Sequence, residues 1–459
     1  MEHFTLGEIA DAARGQLVPG TCPPEFEPVG VSIDTLKIQP GELFFALKGT
    51  RTDGHNFIAQ AVSKGAAVAI VSGRWFAALP ERDRPAGTLI LVDDPERAMS
   101  DIARAYRRKF RIPVVGITGS TGKTTTKEMA AAVLATRYRV LKTEGNKNNQ
   151  QGVPLMLFRL SAQHEVAVLE FGISEFGELT HLCQVADPNV GLITNVGPSH
   201  LEFLGSVEGV AKAKGEILEY LDESSTAILN LDDLWLVKGQ NKIKGRLLGF
   251  GIEKICQFRG EGLVFDQAGC GHFSLQGRNI TLRVPGRHNV YNALAAVAVG
   301  DTLGVPLSDA IPALEAFQPA AMRGAVEIRD GVRILNDAYN ANPASMKAAL
   351  ETLRGMAVEQ GGRRIACLGD MLELGDDAPA LHREVGAFAA RGVDLLFATG
   401  PLAAEIVKGA AGLGDRAQHF PDRAHLIQAL NETLRPGDVL LVKGSRGMRM
   451  EEILSGLNF

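Results

Sequence analysis

Short apolar runs and amphipathic stretches alternate along most of this chain. In its first part, apolar residues recur with helical spacing or stand in unbroken runs, and each pattern is typical of one kind of element. The pattern predicts helices at 6–13, 56–64 and 95–110, and buried strands at 41–47 and 65–71. A polar, proline-containing stretch at 80–87 has the composition of a linker. We therefore expect a small α/β domain over residues 1–85 and a linker helix within 86–111.

Basic residues gather at the end of the linker helix. Cations there interact favourably with the helix macrodipole, so a solvated face is favoured over an anion-binding patch. The residues are Arg104, Arg107, Arg108, Lys109 and Arg111.

The second segment, residues 112–317, repeats a strand–helix alternation. The predicted strands are 112–118, 166–170, 190–195 and 227–230, and the predicted helices are 123–136, 174–183, 207–221, 288–303 and 306–317. This order favours a parallel, doubly wound sheet. Residues 246–285 differ, because their short β-like pieces and glycines suggest an antiparallel edge or hairpin.

The third segment, residues 318–459, shows the same alternation. The predicted strands are 332–336, 364–369, 394–399 and 438–443, and the predicted helices are 343–354, 379–391, 402–411 and 423–433. The fold class is therefore α/β with three domains. The length agrees, since 459 residues at roughly 150 per domain give about three.

Composition excludes several classes of protein. Hydrophobic residues make up 45% and charged residues 22%, which is ordinary globular usage and not that of a disordered chain. A net charge of −5 does not favour nucleic-acid binding. The five cysteines show no CxxC spacing, which favours free thiols in a reducing compartment. No apolar run could span a bilayer and no signal peptide is recognisable, so we expect a cytoplasmic protein that does not insert into membranes.

A glycine-rich turn with the sequence TGSTGKTT, residues 118–125, follows a buried strand and precedes a helix. In that context backbone amides and the helix N-terminus bind phosphate, a lysine reaches the terminal phosphates and a hydroxyl coordinates Mg²⁺. Ile117 stands where the strict phosphate-loop pattern has glycine, so the loop is a variant. An ordinary glycine-rich turn is the alternative, but the Lys-Thr pair favours phosphate. The residues expected to contact nucleotide are Gly119, Ser120, Thr121, Gly122, Lys123, Thr124 and Thr125.

Two further residues follow predicted strands of the same segment. Glu170 ends a strand, where it is either a Mg²⁺ ligand or a plain strand-end carboxylate, and the residues leave both possibilities open. His200 comes shortly after strand 190–195. A single histidine is more often structural than a ligand, and most helical lysines, such as Lys212 and Lys214, are simply solvated.

The motifs taken together resemble the Mur ligases, the ATP-dependent amide-forming enzymes of peptidoglycan precursor synthesis. The resemblance covers all three segments. In the first segment it is carried by Asp34-Thr35, PGELFFALKG (40–49) and DGH (53–55). In the other two segments it is carried by TGSTGKTTT (118–126), NKNN (146–149), Glu170, Asn195, His200, AKAKGEIL (211–218), GRHNVYNAL (286–294), NDAYNANP (336–343), GDMLELG (369–375), His382 and VKGSRGM (442–448).

The resemblance implies a role for each segment. The first would bind the uridine nucleotide, the central phosphate-loop domain would bind ATP, and the third, Rossmann-like domain would close over the site. The implied substrates are UDP-MurNAc-tripeptide and D-Ala-D-Ala, which serve cell-wall synthesis, cell shape and division. A monomer is expected, although no feature of the chain specifies the oligomeric state.

The resemblance also implies the ligand sets. Thr124 and Glu170 would hold one Mg²⁺, and His200 with a carbamylated lysine would hold a second, Lys214 being chosen over Lys212. Asn289 and Asn292 would contact adenine, although a helix-capping role for Asn289 stays open. Arg323 would reach the γ-phosphate and Asp337 the ribose, so that Lys123, His200, Lys214 and Arg323 are the expected catalytic residues. The residues expected to bind the peptide and uridine substrates are Asp34, Thr35, Lys48, Gly49, Asp53, His55, Asn148, Asn149, Asn340 and Asn342.

One departure and two alternatives accompany this interpretation. Leu36 stands where the family usually has arginine, next to the retained hydroxyl of Thr35. Another ligase of the superfamily, such as the third-residue-adding enzyme or folylpolyglutamate synthase, is one alternative, but the DNPR motif of the third-residue enzyme is missing from the sequence. A phosphate-loop ATPase or GTPase switch without ligase activity is the other.

Overall fold

Four β-sheets, with five, seven, three and six strands, occur in the part of the chain that the structure describes. The computed structural model describes residues 1–49 and 52–458. Their Cα positions group into two units, one made of 1–116, 138–173 and 177–190, the other of 117–137, 174–176 and 191–459. The predicted α/β class is confirmed.

The first sheet has the strand order β1-β5-β4-β3-β2, with only β1 antiparallel to its neighbour. The elements of this region are α1 (Leu6–Ala13), β1 (Gln16–Val18), β2 (Val31–Ser32), β3 (Leu43–Phe45), α2 (Ile58–Ser63), β4 (Val68–Ser72), α3 (Gly73–Ala78), β5 (Thr88–Val92) and α4 (Pro95–Arg107). Phe44, Ile58 and Ala69 lie in its core. The sheet extends past the predicted boundary at residue 85, because the stretch read as a linker is a short turn that returns the chain to β5.

The basic end of α4 is only partly a solvated face. Arg107 is buried, and its guanidinium donates to the carbonyl oxygens of Ala186 (3.0 Å), Phe110 (2.6 Å) and Ile112 (3.0 Å). The solvated interpretation is therefore wrong for Arg107, which satisfies three carbonyl groups at chain turns. Composition alone does not distinguish such an arginine from its exposed neighbours.

The seven-stranded sheet has the order β12-β11-β10-β9-β6-β8-β7. Its region contains β6 (Val114–Thr118), α5 (Lys123–Leu134), β7 (Val140–Lys142), α6 (Gly152–Leu157), β8 (Val166–Glu170), α7 (Glu178–Ala186), β9 (Val190–Ile193), α8 (Leu201–Leu204), α9 (Val207–Tyr220), β10 (Thr226–Asn230), α10 (Leu234–Lys238), β11 (Arg246–Gly251) and β12 (Phe258–Arg259). The pairs β7–β8, β10–β11 and β11–β12 are parallel. Strand and helix alternate as the sequence predicts.

Residues 246–285 divide between two sheets. Strands β13 (Glu261–Phe265), β14 (Cys270–Leu275) and β15 (Arg278–Pro285) form the antiparallel sheet that the sequence predicts. The prediction is wrong for β11 and β12, which run parallel within the seven-stranded sheet, because local pattern does not encode the direction of a distant partner. Helices α11 (Arg287–Thr302) and α12 (Leu307–Glu315) follow.

The third segment forms a six-stranded sheet with the order β16-β17-β21-β18-β19-β20, in which only β16 is antiparallel to its neighbour. Its elements are β16 (Ala325–Arg329), β17 (Val332–Asp337), α13 (Pro343–Gly355), β18 (Arg364–Gly369), α14 (Ala378–Ala389), β19 (Leu395–Thr399), α15 (Ala403–Gly409), β20 (Ala417–Phe420), α16 (Arg423–Thr433), β21 (Val439–Lys443) and α17 (Glu451–Ser455). Ile334, Ile365 and Leu440 are buried in its core. The carboxyl ends of β17, β18 and β21 share one edge, where ligands bind in open parallel sheets.

Candidate active site

The phosphate loop joins β6 to α5, and two of its glycines take positive φ angles. Gly119 has φ 148° and Gly122 has φ 79°. A β-carbon on Gly119 would lie 1.9 Å from Thr194 Oγ1, and one on Gly122 would lie 2.5 Å from Asn292 Oδ1. Helix α5 starts at Lys123 with Gly122 as its N-cap. The loop therefore precedes a helix N-terminus directly, which is the arrangement that binds phosphate groups.

The segment after β9 fixes the shape of this loop. The amide of Ser120 donates to Asn195 O (3.0 Å), and the amide of Thr121 donates to Asn195 Oδ1 (3.0 Å). Thr194 Oγ1 donates to Thr121 O (2.6 Å), and Ser120 Oγ donates to Gly197 O (2.9 Å). Sequence reasoning assigned Thr194 no role and quoted Asn195 only as part of a motif. Both residues directly follow β9, and this position beside the phosphate loop is the feature from which their role could have been predicted.

Two lysines of the site influence one another electrostatically. Lys123 Nζ donates to Gly119 O (2.7 Å), so its side chain folds back over the loop. Lys214, on α9, is 1% exposed and has no hydrogen bond or ion pair among residues 1–49 and 52–458. Burial, assisted by the positive charge of Lys123, holds the pKa of Lys214 well below its usual value. The neutral amine form of Lys214 is therefore more accessible than that of an exposed lysine.

Lys212 has a different environment although it belongs to the same helix. Its side chain is exposed, and its ammonium lies 5.6 Å from the centre of the Phe176 ring. Of the two candidate lysines, Lys214 alone is buried.

His200 lies immediately before α8 and contacts the third segment. Its Nδ1 is 2.7 Å from Glu373 Oε2 and 3.5 Å from Ser174 Oγ. The hydrogen bond from His200 lowers the pKa of Glu373. Sequence reasoning quoted the motif that contains Glu373 but assigned this residue no role.

The two asparagines of α11 are buried and bonded to one another. Asn289 Nδ2 donates to Pro285 O (2.7 Å), while Asn289 Oδ1 accepts from Asn292 Nδ2 (2.9 Å). Asn292 Oδ1 accepts from Thr126 Oγ1 (3.1 Å), which ties α11 to α5. The capping alternative for Asn289 is wrong, because Gly286 is the N-cap and the Asn289 side-chain amide donates to a carbonyl that precedes the helix.

His288, on the first turn of α11, carries a buried Nδ1 that has no hydrogen-bond partner in the described part of the chain. Burial lowers the pKa of His288; the negative charge of Asp337 opposes this shift and the positive charge of Lys443 adds to it. A buried polar atom without a partner is costly, which suits a position that a ligand completes. Sequence reasoning quoted the surrounding motif and missed this residue.

The carboxyl edge of the third sheet brings together several of the predicted residues. Asp337 accepts from Lys443 Nζ (2.5 Å), which also donates to Asn340 O (2.9 Å). The guanidinium of Arg323 lies 3.8 Å from the centre of the Tyr339 ring. Tyr339, which sequence reasoning missed, thereby orients the arginine expected at the γ-phosphate.

Asn342 links the third segment to the phosphate loop. It caps α13, since its Oδ1 accepts from the Ser345 amide (2.8 Å). Its Nδ2 donates to Ser120 O (3.2 Å). The helix cap therefore also contacts the nucleotide cradle.

Glu170 is buried at the end of β8 and is held by its neighbours. Its amide donates to Thr143 Oγ1 (2.9 Å), and its Oε1 accepts from Asn148 Nδ2 (2.8 Å). Asn149 Oδ1 accepts from the Gly152 amide (2.9 Å) at the start of α6. A buried carboxylate oriented by an amide is a suitable oxygen donor for Mg²⁺.

Asp34 and Thr35 use their side chains within the first segment. Asp34 Oδ1 accepts from the Leu36 amide (2.8 Å), and Thr35 Oγ1 donates to Gln60 Oε1 (2.8 Å). Leu36 is 78% exposed. The position at which the sequence resemblance leads one to expect arginine therefore presents an apolar side chain to solvent.

Asp53 and His55 form a second group in this segment. Their side chains meet at 2.6 Å (Oδ1 to Nδ1), and His55 Nε2 accepts from the Ser72 amide (2.9 Å). Burial would raise the pKa of Asp53, but the hydrogen bonds from His55 outweigh it and lower the pKa. The backbones of Lys48 and Asp53 form an isolated antiparallel β-bridge. The Gly49 amide donates to Thr52 O (2.9 Å).

No cluster of three or more histidine, cysteine, aspartate or glutamate side chains suited to a metal occurs in residues 1–49 and 52–458. The predicted ligand set is of another kind, since it combines one threonine, one carboxylate, one histidine and one modified lysine. Such a set depends on further oxygen atoms from water or phosphate, as is usual for Mg²⁺.

Fold and loop together define the class: a nucleotide-binding α/β protein whose phosphate loop follows a buried strand. Family models match three regions: the Mur ligase family catalytic domain at 28–107, the Mur ligase middle domain at 117–300, and the Mur ligase glutamate ligase domain at 323–446.

Relatives match the chain over its length. The UDP-N-acetylmuramoyl-tripeptide–D-alanyl-D-alanine ligase of Bacillus subtilis is 39% identical, over 99% of this chain and 98% of its own. A crystal structure of MurF from Acinetobacter baumannii has a TM-score of 0.89 at 30% identity, covering 99% of this chain and 98% of that one. MurF ligase from Thermotoga maritima, in complex with ADP, has a TM-score of 0.82 at 29% identity, covering 93% and 96%. The chain belongs to the Mur ligase family. No helix among the described residues is long and apolar enough to cross a membrane.

Proposed function

We propose that this chain is an ATP-dependent ligase that joins UDP-MurNAc-tripeptide to D-Ala-D-Ala and so forms the UDP-MurNAc-pentapeptide precursor of peptidoglycan. The observation that carries the proposal is the glycine-rich loop of residues 119–122, over which the side chain of Lys123 folds. The chain also matches a UDP-N-acetylmuramoyl-tripeptide–D-alanyl-D-alanine ligase over nearly its whole length. The ADP complex of the Thermotoga maritima relative supports ATP as the nucleotide.

The chemistry explains why a carboxylate needs ATP. The tripeptide carboxylate attacks the γ-phosphorus, the bond to the β-γ bridging oxygen breaks, and ADP leaves. The amine of D-Ala-D-Ala then attacks the acyl phosphate carbon, the C–O bond breaks, and inorganic phosphate departs while the amine loses a proton. Phosphoryl transfer of this kind depends on positioning and charge neutralisation. Lys123 and Arg323 supply positive charge in the proposed site.

Mg²⁺ would neutralise charge on the phosphate oxygens when bound. Thr124 and Glu170 would supply oxygen donors for one ion, and His200 and Lys214 would serve the second. Lys214 is chosen over Lys212 because it is buried and lacks a counter-charge in the described part of the chain, whereas Lys212 is exposed. A neutral amine can add CO₂ and become a carbamate, whose oxygens suit a hard cation.

The remaining contacts are proposed segment by segment. Asn289 and Asn292 would hold adenine and Asp337 the ribose, with the partnerless nitrogen of His288 close to Asp337. The residues proposed for the uridine and peptide substrates remain Asp34, Thr35, Lys48, Gly49, Asp53, His55, Asn148, Asn149, Asn340 and Asn342.

We propose three functional domains, 1–85, 112–317 and 318–459, joined by the linker helix, with the first sheet reaching Val92. The enzyme would act in the cytoplasm as a monomer. The free cysteines agree with a reducing compartment.

The decisive experiment is mass spectrometry of the product formed from UDP-MurNAc-tripeptide, D-Ala-D-Ala and MgATP. We expect the mass of the pentapeptide product, and ¹⁸O from a labelled tripeptide carboxylate in the released phosphate. A switch ATPase would release ADP without either peptide, and that result would contradict the proposal. A parallel reaction with a single amino acid in place of D-Ala-D-Ala distinguishes this ligase from the ligase that adds the third residue. We expect product with the dipeptide and none with the single amino acid.

A further inference from the structure

We propose that Glu373 is a positioning residue for His200, so that the orientation of His200 depends on the third segment lying against the loop that follows β9. The inference rests on the proposed function, which it deepens by adding a residue from the third segment. The sequence alone assigns Glu373 no role.

The contact is made by side chains and main chains together. Glu373 Oε2 lies 2.7 Å from His200 Nδ1. The Glu202 amide donates to Glu373 O at 3.5 Å, and a β-carbon on Gly375 would lie 3.4 Å from Glu202 Cα. The loop after β18 therefore runs along the start of α8.

Both residues of the pair have backbone angles that side chains rarely adopt. His200 has φ 52° and Glu373 has φ 62°. A non-glycine residue in this region carries backbone strain, because its β-carbon crowds the main chain. A strained backbone conformation persists where neighbouring contacts maintain it. Here the contact between the His200 and Glu373 side chains is such a contact.

The chemistry of the pair fixes one tautomer of His200. An ionised carboxylate can only accept hydrogen bonds, so the proton lies on Nδ1 and Nε2 keeps its lone pair. Among the described residues Nε2 has no hydrogen-bond partner, whereas Nδ1 also has Ser174 Oγ within 3.5 Å. Nε2 is thus the nitrogen left to accept a proton or to coordinate a cation. Carboxylates commonly orient histidine ligands in this way.

The pair also joins two segments near the phosphate loop. Asn342, from the third segment, donates to Ser120 O (3.2 Å), and a β-carbon on Gly197 would contact Ala344 Cβ at 3.4 Å. Contacts at Ser120, Gly197 and His200 therefore form together when the third segment lies against the loops that follow β6 and β9. Removal of Glu373 should free the imidazole while leaving the phosphate loop in place.

The first test reads the tautomer directly in the ligand-free protein. Ring ¹⁵N shifts of histidine-labelled protein are measured at about pH 9, where imidazole is neutral, with His200→Gln used to assign the signal. We expect the Nδ1–H form in the wild type and in Glu373→Gln, whose carbonyl oxygen can still accept. We expect a shift toward the Nε2–H form in Glu373→Ala. Asp376→Asn is the matched control, because it removes one exposed charge from the same loop without touching His200.

The second test measures turnover. In Glu373→Ala, kcat for peptide-dependent ADP release should fall about 10- to 100-fold, as for other residues that orient ligands, while KM for ATP stays nearly unchanged. Glu373→Gln should restore most of the loss. Should Glu373→Ala fail to fold, Glu373→Gly removes the same carboxylate and relieves the backbone strain.

An unaltered His200 tautomer in Glu373→Ala, or a kcat no lower than that of Asp376→Asn, would overturn the inference. Failure of the proposed function looks different. In that case the wild type itself would show no peptide-dependent ADP release, whereas the tautomer measurement needs no substrate.

Discussion

Gly119 and Thr194 approach so closely that a β-carbon on Gly119 would lie 1.9 Å from Thr194 Oγ1. The Thr194 hydroxyl is held in place by a hydrogen bond that it donates to Thr121 O at 2.6 Å. The glycine is therefore required by close contact as well as by its φ of 148°. The loop takes its shape from the strand end beside it.

Gly119→Ala should consequently disrupt the nucleotide cradle. Overpacking a tight contact costs about 1–3 kcal/mol, so the free energy of unfolding should fall by that amount and affinity for a non-hydrolysable ATP analogue should fall at least tenfold. Calorimetric titration and thermal unfolding measure the two effects. The control is Gly145→Ala, because Gly145 also has positive φ, 57°, but an added β-carbon there would have nothing within 4 Å. Equal effects of the two substitutions would contradict the steric argument, and Thr194→Ala should partly rescue only Gly119→Ala.

Lys123→Ala tests the charge placed over the loop. Loss of a preorganised group that stabilises transition-state charge costs on the order of 3–4 kcal/mol, or about 10²- to 10³-fold in kcat. ADP release with both peptide substrates present is the measurement. Lys238→Ala is a suitable control, since Lys238 is exposed and lies over Trp235. Normal turnover of Lys123→Ala would remove Lys123 from the proposed mechanism.

Lys214→Ala and Lys212→Ala separate the two candidates for carbamylation. Because only Lys214 is buried, ¹³C-bicarbonate should give a protein-bound carbamate signal in the wild type and in Lys212→Ala, and none in Lys214→Ala. Peptide-dependent ADP release should be retained in the variant that keeps the carbamate signal and lost in the variant that lacks it. The two substitutions remove the same kind of side chain from one helix, so each variant controls for the other. A carbamate signal that disappears with Lys212 instead would reverse the assignment.

Features set by neighbouring residues could be predicted from the sequence. The strand, loop and helix of residues 114–134 need only local pattern and glycine chemistry, and all three are observed. The direction of β11 could not be predicted, because it depends on pairing with β10. The burial of Arg107 depends on the carbonyl of Ala186, far along the chain. Glu373 was missed for the same reason, since its partner His200 lies in another segment.

The five cysteines offer a test of how firmly the third sheet is packed. Cys367 lies within β18, and burial raises the pKa of its thiol to about 12. At pH 8 only about one thiol in ten thousand would then be ionised, and the thiolate is the reactive form. Cys22 and Cys256 are partly exposed, although burial also raises the pKa of Cys256. Iodoacetamide labelling of the native protein, followed by peptide mass spectrometry, should therefore modify Cys22 first, Cys256 more slowly, and Cys367 only after denaturation. If native Cys367 were labelled as fast as Cys22, strand β18 would have to open readily. Because the loop that carries Glu373 follows β18, the strained contact between Glu373 and His200 could not then be maintained by the surrounding structure.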